Sequence, residues 1–273
     1  MSARVPSDPE PRRSAPEKTV DCGAAGAPWR PGAGPSMSYP TRTIALLCEL
    51  LHPPVPPDPR PIQRLHNEMF ESGQPPYAGF QVSALGPVLS NPVATPGGVS
   101  QVAFLGDRVQ FREERGSLTH ETFAAQVRDI AQRAAPLRGV PVYSAQQIVL
   151  RSLVNPRTAG DTRTFLRERL FGFGDEVDAL GRSPQLMGLR LGFGPDSAEE
   201  NAFGLRIESY NPDPRSLYIE VQGSFGPTVA SEGMQVVEDN VLRTSAFLVQ
   251  KVLPFLAFFD RKEAEGNADG PGA

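Results

Sequence analysis

The chain has 273 residues, with 27 Lys and Arg against 31 Asp and Glu and a formal net charge of -4 at pH 7. That length supports one large domain or two small ones, and an acidic balance with a pI near 5.5 lacks the basic footprint of a general nucleic-acid binder. Two cysteines, Cys22 and Cys48, make no disulfide framework and point to a reducing compartment.

Residues 1–38 are dense in proline, glycine, alanine and serine and poor in large aliphatic residues, so a disordered tail is expected there. No apolar stretch follows the N-terminal arginines, which argues against a signal peptide. No continuous apolar run of 18 residues is present, so a cytoplasmic protein with no membrane partner is expected. Thr43–Leu51 reads as a buried strand stopped by HPPVPPDP. Pro59–Ser72 reads as a helix with Ile62, Leu65, Met69 and Phe70 on one stripe and Gly73 as its stop. Phe80–Leu89 and Val99–Glu113 read as strands, with Gly106-Asp107 as a bulge or a tight turn inside the second. Thr119 is placed to cap a helix to about Ala135 that buries Phe123, Val127, Ile130 and Ala134.

The order then begins again. Tyr143–Val154 reads as a strand ended by Asn155-Pro156, and Asp161 as the cap of a helix to about Leu180 with Phe165, Leu166, Leu170, Phe173 and Val177 as its apolar positions. Gln185–Phe225 holds three strands of strict alternation, with Met187, Leu189, Leu191, Phe193, Phe203, Leu205, Ile207, Leu217, Ile219 and Val221 on the dry side. A long helix from about Met234 to Phe258 follows, with Pro254 expected to bend or end it, and then a second disordered tail, residues 261–273.

Both halves, residues 40–136 and 142–260, thus follow one plan of strand, helix, strands, helix. The expectation is a single duplicated α+β domain over 39–260, an antiparallel curved sheet backed by helices with one face open. Arg151, Arg190, Arg206, Glu208, Tyr218, Glu220 and Gln222 fall on the wet side of the second half. Gln81, Ser83, Gln101, Arg108, Gln110 and Arg112 can join them from the first.

The runs IALLCEL (Ile44–Leu50) and Leu150-Arg151-Ser152-Leu153-Val154-Asn155, with the helix-and-strands block after them, resemble a sporadically distributed bacterial family of about this length. The resemblance covers about residues 39–259. The family's usual Pro-Pro-Ile start is replaced here by Thr41-Arg42-Thr43-Ile44-Ala45, and its tryptophan before the central helix is missing, Trp29 being the only one. Relatives of similar appearance belong to ribosomally synthesised, post-translationally modified peptide pathways, including the crocagin-type pyrroloindoline pathway. The resemblance implies binding of a precursor peptide and a part in cyclising its core, and assigns no catalytic residue.

Other candidates meet blander explanations. His52, His66 and His120 have no partner at metal-ligand or triad spacing, so structural roles and no metal are expected. Cys48 reads as core packing, and Glu49 beside it as a carboxylate on the open side. Gly172-Phe173-Gly174 and Gly192-Phe193-Gly194 lack the context of a phosphate loop and read as a helix kink and as close packing over the sheet. The open-face charges are either a cross-strand ladder or a ligand surface, with Arg151, Arg190, Arg206, Tyr218 and Gln222 as binding residues. Glu208 and Glu220 are the candidate general bases should chemistry occur there, without any cofactor. Phe255, Leu256, Phe258 and Phe259 either close the core or form a contact in a homodimer or a heterodimer with a homologue. The alternative to peptide handling is a non-enzymatic partner-binding protein of a defence or regulatory operon.

Overall fold

A computed structural model describes residues 39–73, 75–195 and 201–261. Cys22, Trp29 and the two expected tails, apart from Arg261, lie outside the described residues. The strands are β1 (Arg42–Leu51), β2 (Gly79–Ser83), β3 (Gly86–Asn91), β4 (Val99–Phe104), β5 (Arg108–Glu114), β6 (Val142–Tyr143), β7 (Ala145–Val154), β8 (Gly188–Phe193), β9 (Ala202–Ser209), β10 (Leu217–Phe225) and β11 (Thr228–Val229). Nine of them form one antiparallel sheet in the order β2-β3-β4-β5-β1-β7-β10-β9-β8, while β6 and β11 pair separately. The helices are α1 (Arg60–Glu71), α2 (His120–Arg138), α3 (Thr162–Thr164), α4 (Gln235–Phe247) and α5 (Leu253–Phe259).

The α+β class and the duplication are both visible in this order. In each half the last strand returns beside the first, β5 beside β1 and β10 beside β7, and earlier strands lie further out. The halves meet at the central β1–β7 ladder, with Leu47 opposite Val149 and Cys48 opposite Ile148. Alternation then decides the two faces. Leu46, Cys48, Leu50, Phe111, Ile148, Leu150, Ile207, Ile219 and Val221 are buried beneath the helices, each large side chain contributing about 1.5–3 kcal/mol. Small residues let α2 lie close, since Ala124, Ala131, Ala134 and Ala135 are all buried.

Local chemistry sets the helix ends. Thr119 caps α2 by accepting from the Thr122 N–H, and Gly139, at φ 67°, ends it with bonds from its own N–H to Pro136 O and from Val140 N–H to Ala135 O. Asp161 caps α3 as expected, accepting from the N–H groups of Arg163 and Thr164. The helix to Leu180 does not follow. After a π-turn over Phe165–Leu170 the chain leaves at Gly172, φ 65°, and only a 3-10 turn, Asp175–Leu180, comes later. Glycine reaches that left-handed conformation without steric cost, so Gly172 stops the helix rather than kinking it. Phe173, expected in the core, is 45% exposed.

One further expectation changes, and two sets of alternatives narrow. Phe80–Leu89 is the hairpin of β2 and β3, closed at Gly86, φ 141°, where a Cβ would lie 2.3 Å from Phe104 O. Gly106-Asp107 resolves as the turn between β4 and β5. Pro254 does not end the last helix. It has no N–H for the carbonyl of Gln250, and the turn over Leu248–Val252 widens to the π form before α5 continues to Phe259. By length and composition this run, Gln235–Phe259, is long and apolar enough to cross a membrane, which counting consecutive apolar residues missed. Of this run, Val237, Val241, Leu248, Val252, Leu253 and Leu256 pack into the core, and Asn240 bonds Gln146 on β7 at 3.0 Å. Leu256 closes the core, whereas Phe255 and Phe258 stay 36% and 51% exposed.

Candidate functional site: the open face of the sheet

The face away from the helices is organised in rows that cross the strands. One row runs Glu114, Ala45, Arg151, Glu220, Arg206, Arg190 over β5, β1, β7, β10, β9 and β8. The next runs Arg112, Leu47, Val149, Gln222, Gly204, Gly192 on the same strands. The third runs Gln110, Glu49, Gln147, Ser224, Ala202. Neighbouring rows are about 7 Å apart, two residues along a strand. From Leu47 to Gly192 the middle row carries Leu47, Val149, Gln222 and two glycines; Arg151, Glu220, Arg206 and Arg190 stand along one side of it, while on the other Glu49 and Gln147 give way to Ser224 and Ala202. The result is a trough across five strands, about 19 Å long at some 4.8 Å per strand, the reach of about six extended residues.

The walls are held in place by mutual hydrogen bonds. Glu220 accepts from Arg151 Nε at 2.8 Å and from the Tyr218 hydroxyl at 2.7 Å. Arg206 grips Glu208 with both ends of its fork, at 2.5 and 2.7 Å, and lies over the Tyr218 ring. Arg112 binds Glu114, and Glu49 accepts from Gln110 at 2.5 Å and Arg108 at 3.3 Å. Burial pushes the Glu220 carboxyl upward, but the Tyr218 and Arg151 hydrogen bonds and the charges of Arg151 and Arg206 outweigh it and hold the pKa below the usual glutamate value. Burial and the bond to Glu220 push the Tyr218 hydroxyl well above its ordinary value. Glu220 is therefore a fixed anion and a poor proton acceptor, which removes the physical basis for using it as a general base. Both oxygens of Glu208 are taken up by the Arg206 fork.

Two hollows open on this face. One of about 310 Å³ lies over the centre, floored by Leu47 and Val149 and rimmed by Glu49, Arg112, Glu114 and Arg151. The other, about 300 Å³, lies beside Arg206, Glu208, Tyr210 and Tyr218, whose two rings are nearly parallel with centroids 6.5 Å apart. All five expected binding residues, Arg151, Arg190, Arg206, Tyr218 and Gln222, project from the open face, and Gln81, Ser83, Gln101, Arg108, Gln110 and Arg112 share it. The Leu47 and Val149 floor was not singled out from sequence, because an apolar residue in a strand carries no mark of the face it serves. Close packing explains Gly188, where a Cβ would meet Glu208 Cγ at 2.5 Å, but not Gly192 or Gly194, where it would meet nothing within 4 Å.

The remaining candidates serve the scaffold. Cys48 is fully buried, which drives its thiol pKa up. His52 Nδ1 lies 2.8 Å from Pro53 O and its Nε2 faces Arg138 at 3.2 Å. A carbonyl only accepts and a guanidinium only donates, so the ring is the neutral Nδ1–H tautomer, as burial also favours. His66 packs against Phe70 and Phe80. His120 Nδ1 contacts Ser245 Oγ at 2.5 Å, a pair invisible in sequence, but its Nε2 faces Thr43 Oγ1 at 3.2 Å and not a carboxylate. That chain ties α2 to α4 and β1 and lacks the orienting acid of a nucleophilic triad. Among the described residues no cluster of three His, Cys, Asp or Glu is arranged to hold a metal ion.

No protein-family model matches the chain, and no curated protein matches it in sequence.

Proposed function

We propose that the protein binds an extended precursor peptide of a ribosomal-peptide maturation pathway along the trough and holds it while its core is cyclised. The supporting observation is the Leu47–Val149–Gln222–Gly204–Gly192 floor, bordered by the charged row from Arg151 to Arg190 on one side and by Glu49 and Gln147 on the other. Such a floor suits a backbone with small or aliphatic side chains. Arg151 and Arg206 offer donors to its carboxylates and carbonyls, and Tyr218 offers a ring face. The family resemblance points the same way. Since Glu220 is engaged by Arg151 and Tyr218 and Glu208 by Arg206, the contribution to cyclisation is the conformation in which the peptide is held.

Fluorescence titration with the precursor peptide encoded beside the gene tests this reading. Val149→Arg fills the central hollow with a long cation and is expected to weaken binding at least about tenfold, or 1.4 kcal/mol, while the melting temperature stays within a few degrees. No binding of the wild-type protein at high micromolar peptide rejects the reading. Capture of a folded protein from the same operon in place of the peptide would move the function to a non-enzymatic partner-binding role on the same face.

A further inference from the structure

The two halves do not fill the sheet equally. Counting outward from the centre, the first half runs β1, β5, β4, β3, β2, and the second runs β7, β10, β9, β8. The second half has no counterpart of β2, so the place beside β8 is vacant among the described strands. The segment before β8, where that counterpart would arise, leaves Phe173, Leu180 and Leu186 exposed at 45%, 72% and 49%.

The backbone of β8 is ready for a neighbour. Ser209 N–H donates to the carbonyl of Met187, directly opposite, at 2.9 Å. Alternation along an antiparallel ladder then turns the N–H and C=O of Leu189, Leu191 and Phe193 toward β9, and those of Gly188, Arg190 and Gly192 outward. Glycine in such an edge permits close approach by another backbone, and nothing within the described chain requires it at Gly192. β8 contains no proline or lysine, the residues that commonly protect an edge.

The side chains are incomplete in the same direction. On the helix side Phe203, Leu205 and Ile207 of β9 are buried, but Leu189 and Leu191 opposite them are half-buried and Phe193 is 41% exposed. On the open side Arg190 stands opposite Arg206, an unfavourable like-charge pair. Arg206 is satisfied by Glu208, whereas Arg190 is exposed and has no ion-pair partner among the described residues.

We propose that β8 accepts a peptide as a tenth, antiparallel strand, with an acidic residue beside Arg190 and apolar residues on either side of it covering Leu189, Leu191 and Phe193. This site shares β8 with the end of the trough but uses the outward main-chain groups of that strand, so its test does not depend on peptide binding along the trough. The place is the one that β2 fills in the first half, with Phe80 and Val82 on the helix side and Gln81 on the open side. Strand addition takes its affinity from main-chain hydrogen bonds and its selectivity from alternate side chains.

The test is amide hydrogen exchange by NMR on the full chain, with a capped heptapeptide patterned on Ala78–Ala84 carrying glutamate in the place of Gln81. The expected result is at least about tenfold slower exchange at Gly188, Arg190 and Gly192. Gly192→Pro should abolish the effect with unchanged melting, because its outward N–H has no partner to lose. Arg190→Glu should weaken binding of the glutamate peptide and favour a lysine version. Val149→Arg, which blocks the trough, should leave edge protection intact. Unchanged exchange at saturating peptide, or protection that survives Gly192→Pro, overturns the proposal. So does protection that grows with protein concentration in the absence of peptide, which would give the edge to a second copy of the chain.

Discussion

Asp260 is 2% exposed and accepts from Tyr39 Oη at 2.6 Å, the Arg157 N–H at 2.8 Å, the Thr158 N–H at 2.9 Å and Thr158 Oγ1 at 2.5 Å. It thereby ties both ends of the described chain to the loop after β7. Burial raises the carboxyl pKa, but the bonds from Thr158, Tyr39 and the two backbone N–H groups prevail, and it stays below the ordinary aspartate value. A folded pKa below the unfolded one stabilises at pH above the unfolded value near 3.9, and that stabilisation is lost as pH falls through the folded value. Asp260→Asn places an NH2 group against donors and should cost about 2–3 kcal/mol at pH 7. In thermal melts the deficit should shrink below about pH 4, where the wild-type carboxyl also becomes protonated. A deficit unchanged between pH 7 and 3 would contradict this assignment. None of these contacts was legible in sequence, because they join residues up to 221 positions apart.

At the scale of elements, the chain's local signals worked where a single residue type decides the backbone. Thr119 and Asp161 cap, and Gly139 terminates, because short side-chain oxygens and a missing Cβ act within one turn. Asp161→Ala is expected to cost about 1 kcal/mol, read as a lower denaturation midpoint with unchanged slope. A change below a few tenths would mean the α3 turn is held by tertiary contacts instead. Local signals failed at Ala84-Leu85-Gly86, which lacks the usual hairpin dipeptides yet turns because Gly86 must pass close to Phe104 O. They also failed at Gly172, where continued apolar spacing suggested a helix that the left-handed glycine stops.

For the whole molecule, the central β1–β7 ladder is the junction of two halves, neither of which closes its own sheet. Expressed separately, residues 39–141 or 142–261 would present β1 or β7 as a long, unprotected inner edge. Neither half is expected to melt cooperatively by calorimetry, while co-expression should restore one transition. An independently folding half would show that the ladder is an interface between domains and not part of a shared core. The trough has the same origin. Its floor draws Leu47 from one half and Val149, Gln222, Gly204 and Gly192 from the other, so it exists only when the halves share a sheet.

Alternation of apolar and polar residues, with a cap or breaker at most ends, was enough to establish the class and the side of the paired strands that faces water. Those properties depend on neighbours within a few positions, and a period of two leaves no choice once one face is buried. Tertiary structure alone decided which strands lie side by side. That choice set Arg151 against Glu220, set Arg190 against Arg206, aligned the low residues into a trough and left β8 at an edge, because pairing between distant strands is fixed by packing of the whole sheet rather than by any local propensity.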